Sequence, residues 1–475
     1  MFSLVPIKLA ATVAHSLTKE TVLAKIISYF TVLRVAGVEV QYDDYQRRYI
    51  ETVLKIDNAK TIFLETRGEE ALVQNIVPLI VKKSQKRKVE FSNLKEDSHE
   101  SIFVSYSHLH SIPVGTRLVF SSAKGSIGCV VEKNQGGVVT VKIDDDGEIH
   151  GGMRIEFVSY QPMLSFLSEK DRQDILWGLS SHVSIVVANS IKSKEQIFEL
   201  RNFLDANGGQ GVRIFLKIAS RDMLPLATSL LDYCQGCMIV FDHLVRSQPA
   251  LLSEYADVVN YAKQHSKTVF FSIDSFLYQG YDAFFQSFVQ YSIGLGVDCL
   301  VCTHDFCASA PFQDSFITLF EKLQQSTYTY FHKERYQFFE NRALSHGDIQ
   351  KYLLCDVYRA MNNFSLRAVI VFTNTGSSIA SLVALMPNVP ILAFTKSEAV
   401  YRYVNVMWGV KPYKLSQTSS SYAFFKSIGK EVLRVLYKGN ISLDDKIVIM
   451  QTHEEDNKDQ TYFINGMELY KFKDL

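Results

Sequence analysis

Short blocks of aliphatic and β-branched residues recur along the chain, each separated from the next by room for one helix. The blocks Ile7–Thr12, Thr61–Glu65, Val183–Ala188, Val212–Ile218, Cys237–Phe241, Thr268–Ser272 and Asp298–Cys302 are apolar almost throughout rather than alternating. Continuous apolar strands of this length are buried on both faces, as in parallel sheets. Between them the spacing predicts helices at Tyr45–Ile56, Lys194–Asn207, Met223–Leu231, Leu251–Gln264 and Tyr281–Tyr291. A helix starting at Leu17-Thr18-x-Glu20 is read as running toward Arg34, broken at Ala36-Gly37, with Val38–Val40 as the second strand. That makes eight strands joined by crossover helices, which favours a closed (β/α)8 barrel over an open sheet.

The rhythm is interrupted once. From about Glu69 to Tyr160 the segments are shorter and alternate, as in Ser101–Tyr106, Arg117–Phe120, Gly128–Val131 and Val138–Ile143, with glycine-rich breaks between them. This predicts a small antiparallel β domain. The run Lys82-Lys83-x-x-Lys86-Arg87-Lys88 before it reads as a solvated face. From Ser326 a helical section reaches about Asn363. Strands at Ala368–Phe372, Val389–Phe394 and Lys446–Met450 then alternate with helices near Ser377–Leu385 and Ser397–Met407. The predicted organisation is therefore α/β: a barrel over residues 1–68 and 161–325, a β domain inserted at 69–160, and a C-terminal α/β domain at 326–475.

Composition narrows the classes. Lys+Arg and Asp+Glu both number 50, so no net field favours nucleic acid or an anionic membrane. No run of 18 apolar residues is present to span a bilayer, and the expected compartment is the cytosol. The seven cysteines include Cys234-x-x-Cys237 and Cys299-x-x-Cys302. A four-thiolate zinc site is disfavoured, because residues three apart on a strand face opposite sides. Buried apolar cysteines are the expectation.

The candidate chemistry centres on Lys217, at the end of Val212-Arg-Ile-Phe-Leu-Lys217. A lysine at a barrel strand's carboxyl end sits where such folds place their reactive groups.

Several segments, in order, resemble one family. Ala36-Gly-Val-Glu-Val40 resembles AGMNV, Leu64-Glu-Thr-Arg-Gly68 resembles LDTKG, and Leu167–Ile175 resembles LSEKDKxDI. Ile214-Phe-Leu-Lys-Ile218 resembles IISKI, Gly236–Val240 resembles GIMVA, and Leu295–Cys299 resembles DGADC. Ala368–Ser378 followed by Pro390–Thr395 resembles AIIVLTxSGxS…PIIAVT. The family is pyruvate kinase, which transfers phosphoryl from phosphoenolpyruvate to ADP with Mg2+ and usually K+, and assembles as tetramers. The resemblance implies the phosphoryl-contacting lysine at Lys217 and nucleotide or substrate contacts at Thr66 and Arg67. It puts the metal ligands at Ala219 and His243, the proton-donor threonine at Ile273, and, ungapped, the RxNxS segment at Tyr42–Gln46. Neither a methyl nor an imidazole replaces hard oxygen ligands for Mg2+. Asp44, Asp242, Asp274 and Glu65 are the remaining oxygen donors. In the C-terminal domain Thr373-Asn-Thr375-Gly376-Ser377-Ser378 matches the phosphate- or effector-binding loop. Hydroxyls and a glycine at a helix start also suit an anion, although plain helix capping is the simpler reading.

The expectation is a pyruvate kinase-like chain acting as a pseudoenzyme. It would serve as a binding, regulatory or structural subunit in a homo- or hetero-oligomer with pyruvate kinase-like subunits or in a larger assembly, without nucleic acid or membrane. The alternatives are an active kinase with a rebuilt Mg2+ and K+ site, and a metabolite sensor using the Thr373–Ser378 loop.

Overall fold

The computed structural model describes residues 6–13, 23, 25–36, 44–68, 71–92, 96–122, 125–158, 160, 166–219, 221–240, 251–273, 283–302, 307, 312–325, 333–346, 348–415, 422–453 and 463–475. Eight parallel strands close into a barrel: β1 (Lys8–Thr12), β2 (Val32–Ala36), β3 (Thr61–Glu65), β12 (Val183–Ala188), β13 (Arg213–Ile218), β14 (Gly236–Val240), β15 (Thr268–Ser272) and β16 (Cys299–Cys302). Closure is made by β1, which pairs with β2 on one side and β16 on the other. Inward-facing rings fill the interior. Phe63 and Phe215 each pack on Phe270, with centroids 5.6 and 5.0 Å apart. Burying rings of this size contributes roughly 1.5–3 kcal/mol each.

One barrel strand lies elsewhere than the pattern placed it. β2 is Val32–Ala36, so Arg34 stands in mid-strand and not at a helix end. The proposed strand Val38–Val40 falls outside the described residues. The arginine interrupts the apolar block Val32-Leu33-x-Val35-Ala36 and hides it. Arg34 tolerates burial there because a carboxylate meets it on the neighbouring strand.

The chain forms two compact units: residues 1–66 with 173–475, and residues 67–172. The second unit carries a six-stranded sheet ordered β11-β7-β8-β9-β5-β6 and a small β10-β4 pair. Its strands are β4 (Leu79–Val81), β5 (Lys86–Phe91), β6 (Ser101–Val104), β7 (Arg117–Ser122), β8 (Gly125–Gln135), β9 (Val138–Ile143), β10 (Gly147–Ile149) and β11 (Arg154–Val158). The sheet is antiparallel except for β5 and β6, which run parallel. The basic run does lie on a solvated face, but half of it is strand: in β5 Val89 is buried while Lys86 and Lys88 are exposed.

In the first unit a five-stranded sheet ordered β19-β18-β17-β20-β21 packs beside the barrel. It consists of β17 (Leu366–Phe372), β18 (Ile391–Thr395), β19 (Val410–Lys414), β20 (Lys446–His453) and β21 (Phe463–Lys471). The two edge strands, β19 and β21, were not read from the sequence. Polar pins join this sheet's connections to the amino ends of the barrel strands. Lys8 Nζ donates to the Val410 carbonyl at 2.7 Å, Asn405 Nδ2 to that of Ala59 at 2.7 Å, and Asp298 Oδ1 accepts from the Trp408 N–H at 3.0 Å. Asp298 also takes the Val269 N–H at 2.7 Å and pairs with the buried Lys263.

Candidate functional site

At the carboxyl ends of the barrel strands, charge is gathered into one buried knot. Lys217, near the end of β13, holds its ammonium 2.7 Å from Glu65 Oε1. Glu65 ends β3, with β12 lying between the two strands. From the other side β2 supplies Arg34, whose Nε and Nη2 both donate to Glu65 Oε2 at 2.8 Å. Arg34 Nη1 reaches Thr12 Oγ1 at 3.2 Å, and that hydroxyl donates to the Cys302 carbonyl at 2.6 Å. The knot thus ties together β1, β2, β3, β13 and β16, and all four side chains are buried.

The electrostatics follow from this geometry. Burial pushes the Glu65 carboxyl upward, but the fields of Arg34 and Lys217 outweigh it and hold the group at about 2. Glu65 is therefore ionised at any physiological pH, and the knot carries one net positive charge. Arg34 is the site residue that sequence reasoning missed. The signal was present, since Arg34, like Lys217, is a basic residue set within a block of aliphatic residues.

The other predicted residues fall into three groups. Thr66 is beside the knot but structurally committed: its N–H donates to the Val187 carbonyl and its Oγ1 accepts the Asn189 N–H, each at 3.0 Å. The Arg67 N–H donates to Asp171 Oδ1 at 2.7 Å within the second unit. Ala219 follows Ile218 directly, half-buried, and offers only a methyl. Ile273 is fully buried and its N–H bonds the Val301 carbonyl at 3.1 Å. Tyr42, Asp242, His243 and Asp274 lie outside the described residues, as do the side chains of Asp44 and Gln46.

The Thr373–Ser378 loop is separate from this knot and is bonded to itself. Thr373 Oγ1 accepts the Gly376 N–H at 2.9 Å, Thr375 Oγ1 accepts that of Ser377 at 3.3 Å, and Gln350 Nε2 donates to Ser378 Oγ at 3.0 Å. Gly376 sits at φ 85°, which allows the chain to enter the helix Ser377–Ala384 there. The cysteines are free and buried. Burial raises the Cys234 thiol to about 12 and pushes those of Cys237 and Cys299 upward as well, so they are neutral, apolar groups.

A closed parallel barrel, a β-rich insertion after its third strand and a C-terminal α/β sheet define a class of multidomain (β/α)8-barrel proteins. The comparisons specify the family. The pyruvate kinase barrel domain matches residues 8–245, and the pyruvate kinase alpha/beta domain matches 353–465. The chain is 21% identical to the pyruvate kinase of Clostridium acetobutylicum over 406 residues, covering 83% of this chain and 84% of that one. It is also 21% identical to that of Staphylococcus aureus over 457 residues, 93% of this chain and 77% of the relative. Its fold superposes on the crystal structure of Cryptosporidium parvum pyruvate kinase with a TM-score of 0.82 at 17% identity, covering 98% and 97% of the two chains. The chain belongs to the pyruvate kinase family.

Its described residues do not fit the family's metals. Both Glu65 oxygens are taken by the chain's own cations, and Ala219 has no donor. Among the described residues no group of three or more His, Cys, Asp or Glu side chains is placed to hold an ion.

Proposed function

We propose that this chain is a pyruvate kinase-family pseudoenzyme, a binding or regulatory subunit that has lost metal-dependent phosphoryl transfer. The observation that carries the reading is the Glu65 carboxylate, filled from both sides by Arg34 and Lys217, together with the bare methyl of Ala219 two residues beyond Lys217. Phosphoryl transfer requires a cation bridging the nucleotide and the moving group, and oxygen ligands to hold it. With β2 at Val32–Ala36, the family's RxNxS pattern is better seated on Arg34-Val-Ala36-Gly-Val38 than on Tyr42–Gln46, a seating that gives up the overlapping AGMNV match at Ala36–Val40. On that seating the phosphate-binding arginine is kept, while both side-chain ligands of K+ become aliphatic. An anion-binding half-site thus remains beside a missing cation half-site.

The second reading is an active kinase with a rebuilt site, using Asp242 or Asp274 for Mg2+. The retained Lys217 and Arg34 favour it. The family relationship supports a cytoplasmic protein in a homo-oligomer or a mixed oligomer with pyruvate kinase-like subunits. The test is a coupled assay with phosphoenolpyruvate, ADP, Mg2+ or Mn2+, and K+, beside an Ala219→Glu, His243→Asp double substitution. The expected result is no turnover in the unmodified protein. Turnover that Lys217→Met abolishes would replace the first reading with the second.

A further inference from the structure

We propose that Glu65 is an internal occupant of an oxyanion site, a tethered carboxylate that fills the place where Arg34 and Lys217 would otherwise grip a small phosphate-bearing ligand. This deepens the binding reading above and rests on it for the ligand class. The two cations come from strands on opposite sides of β3 and converge on one carboxylate, each on its own oxygen. A guanidinium donating two N–H groups to one oxygen and an ammonium on the other is how a free carboxylate or phosphate would be held. The site is built and rigid: Arg34, Lys217 and Glu65 are each at most 5% exposed, and Thr12 fixes the guanidinium from behind. Among the described residues Glu65 is the ion-pair partner of the Lys217 ammonium, and a ligand that displaces the carboxylate takes its place there.

The consequence is competition. As folded, the knot carries one net positive charge and both oxygens of Glu65 are engaged, so an incoming anion must first separate Glu65 from two buried cations. Removing the carboxylate's charge while keeping its shape leaves two desolvated cations, which is an attractive environment for a dianion.

The experiment is titration of the full chain with inorganic phosphate, read by calorimetry and by the shift in thermal midpoint. The comparison is the unmodified protein, Glu65→Gln, and Glu65→Gln with Lys217→Met. Weak binding is expected in the unmodified chain, at least tenfold tighter binding in E65Q, and loss of that gain in the double variant. E65Q binding phosphate no tighter than the unmodified chain overturns the proposal, and so does micromolar binding by the unmodified chain. Should E65Q fail to fold, Glu65→Asp decides. Its carboxylate is one methylene too short to hold both cations, so a gain of two- to fourfold is expected and an unchanged affinity refutes the occupant. Turnover in the parallel coupled assay would sink the pseudoenzyme reading without touching this result. A flat E65Q titration would sink the occupant and leave the pseudoenzyme reading standing.

Discussion

The buried Asp298–Lys263 pair lends itself to a quantitative test. Asp298 is completely buried at the amino end of β16 and serves three donors: Lys263, the Val269 N–H and the Trp408 N–H. Burial lowers the Lys263 ammonium's pKa, and the field of Asp298 works against that fall. Asp298→Asn strands this cation and turns an amide NH2 toward one of the two backbone N–H groups. Breaking a buried pair costs about 3–5 kcal/mol, and an orphaned N–H about 1–3 more. Lys263→Met leaves a carboxylate still held by two N–H groups, at a cost of about 3 kcal/mol. The double variant retains no buried charge and should lose about 2–3 kcal/mol, far less than the sum of the singles. The assay is urea unfolding followed by Trp408 fluorescence in a Trp177→Phe background, since these are the chain's two tryptophans and Trp408 is buried beside the pair. Additivity of the two substitutions within about 0.5 kcal/mol would refute the reasoning, because it would mean that neither charge depends on the other.

Acid should weaken the barrel through Glu65. Its folded pKa of about 2 lies below the ordinary 4.5, so the stability it confers is full above 4.5 and is lost as pH falls toward 2. Over that window the loss is about 3 kcal/mol, and the acid limb of a pH-unfolding profile should flatten in E65Q. Lys8 has the opposite sign. Burial brings it from 10.5 to about 8, so the unfolded chain holds its proton over that interval and stability rises with pH. Lys8→Met should abolish this rise, measured as midpoints between pH 7.5 and 10.5. Gly236→Ala would set a Cβ 2.3 Å from the Thr268 carbonyl and 2.8 Å from the Phe215 ring. About 3 kcal/mol of destabilisation is expected in the same urea assay, since backbone and a packed ring must both give way. Arg335 forks between the carbonyls of Ala384 and Leu295 and the Asn260 side chain at 3.1, 3.2 and 2.9 Å. Arg335→Lys should therefore cost about 2–3 kcal/mol despite keeping its charge, and a thermal midpoint equal to the parent's would contradict this.

What the sequence disclosed depended on whether an element's burial is written in its own residues. Blocks such as Val183–Ala188 and Thr268–Ser272 are apolar because both faces are covered, and their strands match the expected spans almost residue for residue. β2 was misplaced because its central side chain is charged, and the reason a charge is stable there, Glu65, lies across the sheet and some thirty residues on. β19 contains Lys411-Pro412 and reads as loop, yet an edge strand accommodates a proline whose missing N–H faces outward. β5 is half lysine and arginine, so the run that opens it reads as a solvated face, which it is, and the strand beneath that face does not show. In the site, Lys217 was legible from its position at the end of an apolar block. Glu65 was legible as part of a matched motif and as a remaining oxygen donor, but its clamping by two strands requires the barrel's closure and the true register of β2. The chemistry of the Thr373–Ser378 loop was ambiguous from hydroxyl content alone, and only hydrogen-bond partners separate a cap from an open cradle.

The route of the chain past residue 66 carries a consequence for engineering. β3 and β12 are neighbours paired in register from Phe63 to Glu65, yet more than a hundred residues of sequence separate them. The whole of the second unit is spliced between two adjacent staves and supplies no strand to the closure of the barrel. Residues 67–172 are thus an excisable cassette. A splice from Thr66 to Gln173, inside the helix Glu169–Ser180, would preserve every rung of the cylinder. The same junction would accept an unrelated module whose ends lie close together.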